Sequence, residues 1–91
     1  MLIPTSMQIG KHSYQVLLQD PGCRRYGYIN YQALRIYIKP RGESGQAATL
    51  WHELTHGILY EMGRTDLALN EKFVTQFGSL LAKAVRTARF A

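Results

Sequence analysis

Ninety-one residues suffice for one domain around one small core, because a chain near this length buries only somewhat more than about 60% of its unfolded surface. An apolar share of 46% against 19% charged residues is ordinary for a folded soluble domain and excludes a disordered chain. The net charge of +5 admits acidic partners, yet the basic residues are scattered from Lys11 to Arg89 with no helix-turn-helix or zinc-finger signature, which counts against nucleic acid as the partner.

No apolar run is long enough to span a bilayer, so no membrane contact is expected, and no charged-then-apolar leader with a small-residue cleavage site is present. The single cysteine, Cys23, has no partner for an intramolecular disulfide and points to a reducing, cytoplasmic interior. It follows the turn signal Asp20-Pro21-Gly22 and has only His12 outside the motif below as a base, so it reads as a small loop or core residue.

In chain order, Met7 to Ile9 and Ser13 to Leu18 carry β-branched and aromatic residues around Gly10-Lys11, which predicts a short hairpin. Arg24 to Ile29 reads as a further strand, Asn30-Tyr31-Gln32-Ala33 as a turn, and Leu34 to Ile38 as a half-buried strand. There Leu34, Ile36 and Ile38 face the core, and Arg35, Tyr37 and Lys39 face outward. Pro40 ends it. This last strand is a candidate sheet edge, open to an added substrate strand, with Lys39 and Pro40 equally suited to protecting such an edge.

Arg41 to Gly45 forms a polar connector whose Ser44 is placed to cap a helix. From Gln46 to Met62, the residues Ala47, Leu50, Trp51, Leu54, Ile58 and Met62 recur at helical spacing as one apolar stripe. Gly63 stops this helix. Arg64 to Leu69 is a connector, and a second helix follows from about Asn70 to Ala88, with Phe73, Val74, Phe77, Leu80, Leu81, Ala84 and Val85 as its apolar face. The fold class is therefore α+β: a small N-terminal antiparallel or mixed sheet of three or four strands packed against two helices, in a single domain over residues 1–91.

The first helix carries His52-Glu53-Leu54-Thr55-His56, the pattern H-E-x-x-H. At about 100° per residue the two histidines lie roughly 40° apart on one face, so both imidazoles reach a single ion, with Glu53 beside it. Zinc in a catalytic site takes three protein ligands and keeps one position open. Glu71, at the head of the second helix, completes the working triad His52, His56 and Glu71. A carboxylate there also suits a helix N-terminus through the macrodipole, and Asp66 and Glu61 are the alternative third ligands. In this arrangement zinc acidifies its bound water, and Glu53 serves as general base and then returns the proton to the leaving amine. Tyr60, one turn beyond His56, and His12 are candidates for a further donor to the oxyanion.

The runs Tyr26-Gly27-Tyr28-Ile29-Asn30 into Leu34 to Ile38, and Thr49 through His56 to Leu59, resemble the compact zincin-type metallopeptidases of phages and bacteria. More distantly, the chain is similar to the ImmA/IrrE-type peptidases, whose third ligand is a glutamate, the gluzincin pattern. The resemblance extends from Met7 to about Leu81 and implies a small sheet before the active-site helix, one zinc ion, Glu53 as catalytic base and Glu71 as ligand. The gap from His56 to Glu71 is shorter than in the ImmA/IrrE type, and no DNA-binding domain accompanies it. The expected function is zinc-dependent peptide-bond hydrolysis on a peptide or protein substrate, with a homo-oligomer or an adaptor protein as further partners. The alternative is a non-catalytic zinc domain that acts as an interaction module; retention of Glu53 favours the enzyme, because structural zinc has no use for a general base.

Overall fold

The computed structural model describes residues 3–90. A two-residue turn at Gly10-Lys11, with Gly10 at φ 60°, folds β1 (Ser6–Ile9) antiparallel onto β2 (His12–Leu18) and sets Ile9 opposite His12. Positive φ at such a turn suits glycine, which has no Cβ to clash. β3 (Gly27–Asn30) and β4 (Arg35–Ile38) form a second antiparallel pair. Their turn is held by Asn30 Oδ1, which accepts the N–H groups of Gln32 and Ala33 at 3.1 and 2.9 Å. β2 and β4 then pair in parallel, giving a mixed four-stranded sheet in the order β1-β2-β4-β3.

Three helices follow: α1 (Glu43–Glu61), α2 (Thr65–Ala68) and α3 (Glu71–Thr87). α1 ends at a left-handed Gly63, φ 77°. The N–H groups of Gly63 and Arg64 return to the carbonyls of Tyr60 and Leu59, each at 2.9 Å, satisfying the last turn in the paired manner of a Schellman stop. α3 opens on Asn70, whose Oδ1 accepts the Phe73 N–H at 3.1 Å, a cap for an otherwise orphaned donor.

α1 lies across one face of the sheet. The core there joins Ile9, Tyr14, Val16, Ile29, Ile36 and Ile38 to Leu50 and Leu54. A Cβ on Gly57 would fall 3.0 Å from Ile9 Cδ1 and 3.1 Å from Ile29 Cδ1, so this glycine sets how closely the helix approaches. A second cluster of Leu59, Ala68 and Val74 joins the three helices. Among the described residues no helix is long and apolar enough to cross a membrane.

The α+β class is as expected from sequence, and several details are corrected. β4 lies between β2 and β3 rather than at an edge, so the edges are β1 and β3. Leu34 sits in the left-handed region at φ 57° and ends the turn instead of starting the strand, although its side chain still packs on the core. The strand expected from Arg24 begins only at Gly27, because Cys23 and Arg24 are also left-handed, φ 53° and 57°. Ser44 lies inside α1, which begins at Glu43 with Gly42 in the capping position and no side-chain cap. Within the apolar stripe, Ile58 and Met62 are 38% and 66% exposed. The connector between the long helices contains the additional turn α2.

One polar contact clips the sheet to the end of α1. His12 Nδ1 lies 2.8 Å from Glu61 Oε1, and the buried Tyr14 hydroxyl donates to Glu61 Oε2 at 2.8 Å. These hydrogen bonds, His12's foremost, hold the Glu61 carboxyl below the usual carboxylate range. A carboxyl depressed in the folded state stabilises the fold above its unfolded pKa and loses that contribution as pH falls through its folded value. The thermal midpoint should therefore fall on acidification through the carboxylate range, and Glu61→Gln should flatten this acid limb. An acid limb of the same slope in the variant would show that the clip contributes nothing.

Candidate metal centre

Helical spacing sets the first two donors. His52 and His56 stand one turn apart on α1, with ring centroids 5.0 Å apart and planes at 68°. Glu71, the first residue of α3, meets both: its Oε1 lies 2.9 Å from His56 Nε2 and its Oε2 lies 3.3 Å from His52 Nε2. One donor atom from each of the three lies within 4.8 Å of the others. The alternative third ligands are elsewhere. Glu61 is held by His12 and Tyr14, and Asp66 pairs with Arg64 at 2.9 Å.

The short α2 orients this cluster. His56 Nδ1 lies 2.7 Å from the Ala68 carbonyl oxygen, and a carbonyl can only accept, so Nδ1 carries the proton and donates. In the neutral ring Nε2 then presents its lone pair to the Glu71 carboxylate, and two electron-rich atoms that close require a proton or a cation between them. Burial pushes the His52 imidazole below its usual pKa, Glu71 opposing, which favours the neutral, metal-competent form. A tetrahedral ion with bonds of about 2.0–2.2 Å holds its ligand atoms roughly 3.3–3.5 Å apart; small side-chain adjustments reach that from the observed spacing. The donor set, two imidazoles and a carboxylate, thus fits zinc.

α3 is brought in by a glycine. A Cβ at Gly78 would lie 3.3 Å from His52 Cα, and Val74, one turn earlier, is fully buried. Close packing at these two positions delivers Glu71 to the histidines.

Glu53 reaches toward β3. It is 7% exposed, and burial pushes its carboxyl up to about 7, with the negative charge of Glu71 adding and Arg25 opposing. Gly27 makes room for it: a Cβ there would fall 2.9 Å from Glu53 Oε2 and 2.5 Å from Thr49 Cγ2. Between β3, α1 and α3 opens a groove of about 770 Å³, with Tyr28, Tyr31, Glu53, His56 and Glu71 in its wall.

The two expected oxyanion donors are not in this groove. His12 is engaged by Glu61, and Tyr60 is 39% exposed and stacked on Tyr31, centroids 4.1 Å apart. Tyr31, by contrast, stands in the groove wall. Burial pushes its pKa up to about 12, and the charges of Glu53 and then Glu71 push the same way, so it remains a protonated donor. Nothing in its sequence position singled it out, because only the pairing of β2 with β4 makes the strand before it an edge. Comparison of the chain with protein-family models, with curated proteins and with solved structures gave no match to any of them.

Close packing at Gly27 makes a direct prediction. Gly27→Ala should cost about 1–3 kcal/mol in urea unfolding through overpacking. Adding Thr49→Ser, which deletes the clashing methyl and keeps the hydroxyl that Arg41 uses, should restore part of the loss. Strict additivity of the two substitutions would show that the methyl contact is not the constraint.

Proposed function

We propose that this chain is a zinc-dependent metallopeptidase, a minimal zincin of the gluzincin kind, in which His52, His56 and Glu71 hold the ion and Glu53 handles the proton. What carries the reading is Glu53. It is a buried carboxylate outside the three-donor cluster, one residue from a donor and facing the groove, where a purely structural metal site has no use for it. When bound, zinc supplies Lewis-acid chemistry, activating water and polarising a carbonyl.

The chain's own residues do the rest. Glu53 accepts a proton from the attacking water as the carbon–oxygen bond forms. It then gives that proton to the amine nitrogen as the carbon–nitrogen bond breaks, so that one carboxyl acts as base and acid in turn. A carboxyl with affinity near neutrality suits both strokes, and a cation beside it lowers that affinity toward the base role. Tyr31 donates a hydrogen bond toward the carbonyl oxygen as it gains charge.

Substrate lies along β3. Lys39 N–H donates to the Tyr26 carbonyl at 2.8 Å; antiparallel alternation then turns Tyr28 and Asn30 toward β4, and the backbone groups of Gly27 and Ile29 toward the open edge. A peptide gains main-chain hydrogen bonds there, directly beside Glu53. The edge expected at Tyr37 is not used, because β4 is interior. The exposed, free Cys23 suits a reducing, cytoplasmic setting, and a peptide or protein is the substrate, with a second copy or an adaptor as the partner that deepens an open groove.

Metal analysis paired with turnover on a broad peptide library tests this. Purified, zinc-loaded protein should carry about one zinc per chain, and His52→Ala, His56→Ala and Glu71→Ala should each lower that content sharply. Glu53→Gln should keep the zinc and lose hydrolysis by on the order of a hundredfold or more. Zinc without cleavage would leave the non-catalytic zinc domain as the reading, and absence of zinc under metal-replete conditions would remove both.

A further inference from the structure

At the head of β3 the groove changes character. Arg24, Arg25 and Arg41 line that end together with Tyr26 and Tyr28, whereas among the described residues the acids in its wall are Glu53 and Glu71. We infer that the groove selects peptides bearing an aspartate or glutamate side chain, which the Arg24, Arg25 and Arg41 cluster binds. The inference rests on the reading that a peptide lies along β3.

The cations are presented on built supports. Gly22, Cys23 and Arg24 are left-handed in succession, φ 81°, 53° and 57°. The turn is closed by Arg25 N–H to the Gly22 carbonyl at 3.0 Å and by Gly22 N–H to Asp20 Oδ1 at 2.8 Å. This reversal aims two consecutive arginines at the groove where an extended strand would have sent them to opposite faces. The Arg25 guanidinium stands 5.5 Å from the Tyr28 ring centroid, and that of Arg41 stands 4.0 Å from the Tyr26 centroid. Arg41 is also fixed by bonds to Gly45 O and Thr49 Oγ1 at 3.0 and 2.9 Å. Both of those bonds use one terminal nitrogen, so the opposite terminal nitrogen keeps its donors for a carboxylate. Lys39 Nζ lies 5.9 Å from the same Tyr26 ring, and among the described residues no carboxylate forms an ion pair with any of these four cations.

Charge order along the groove decides the kind of ligand. A nucleic-acid strand carries a phosphate at every step and would bring several past Glu53 and Glu71. A peptide brings a neutral backbone past those two acids and places a carboxylate only at the cationic end. Gly27 lies beside Glu53 and Arg25 is two residues earlier, at most about 7 Å along the chain. The favoured acidic residue therefore sits two or three positions from the bond opposite Glu53.

Fluorescence anisotropy on the zinc-loaded Glu53→Gln chain, with short labelled peptides that differ at that one position, tests the selection. The glutamate peptide should bind about three- to tenfold more tightly than its alanine counterpart, and added salt should close the gap. In an Arg24→Glu/Arg25→Glu chain the order should invert in favour of a lysine peptide, a gain that a merely damaged protein would not show. Equal binding of the glutamate and alanine peptides would overturn the inference, as would more effective displacement by single-stranded DNA than by the unlabelled acidic peptide. Cleavage by the parent chain without acidic preference would sink the selection and leave the peptidase reading standing. Acidic preference in binding, with no cleavage of any peptide by the parent chain, would do the reverse.

Discussion

The hydrogen bond from His56 Nδ1–H to the Ala68 carbonyl, 2.7 Å long and buried, joins the three parts of the molecule on which the site depends. It fixes the tautomer of one donor, anchors the short α2 against α1, and so sets the point at which the chain can turn into α3. Asn70 then caps α3, and the next residue is Glu71. Few residues lie between His56 and Glu71 to span the distance, so the end of α1, the stop at Gly63 and the turn of α2 all have to fall where they do for the carboxylate to meet the imidazoles.

That arrangement asks α1 to do two incompatible things. A helix on a sheet is stable when its covered face is apolar, yet α1, covered by the sheet on one side and by α3 on another, buries Thr49, Glu53, Thr55 and His56 beside Leu50, Leu54 and Leu59. Burying a carboxylate is costly unless it is neutralised or paired, and the rise of the Glu53 carboxyl to about 7 is that cost expressed as proton affinity. The result is a carboxyl of raised proton affinity beside an edge strand. Compensation comes from elsewhere in the layer: Tyr14, Ile36, Ile38 and Leu50 have no exposed surface, and they bring the helix down on the sheet around the polar strip. These breaches of the apolar pattern are gathered in one helix, the kind of local conflict that marks a candidate site.

The physics of single segments was legible in the sequence. The hairpin at Gly10-Lys11, the stop at Gly63, the start of α3 and the common face of His52 and His56 all follow from local geometry, and the placement of Glu71 followed from its being the carboxylate that opens the next helix. What depended on pairing between segments was not legible. Alternation in Leu34 to Ile38 says which side chains face the core, but an interior strand and an edge strand alternate alike, and only the parallel pairing of β2 with β4 moves the edge to β3. Left-handed Cys23, Arg24 and Leu34 were hidden for a related reason. Non-glycine residues visit that region under tertiary constraint rather than by preference, so nothing in their identity announces it.

Moving the edge from β4 to β3 changes which residues can matter. On β4 the exposed neighbours of a docked strand would have been Arg35, Tyr37 and Lys39; on β3 they are the arginine-rich turn before it and Tyr31 after it, with Gly27 between. Gly27 has no side chain because Glu53 and Thr49 occupy that space, and a strand position without a side chain is also where another backbone can come closest. The same glycine thus admits the buried carboxylate from one side and exposes main-chain groups on the other. A docked backbone at this position would lie next to Glu53 with no intervening side chain, which is the proximity that proton transfer requires.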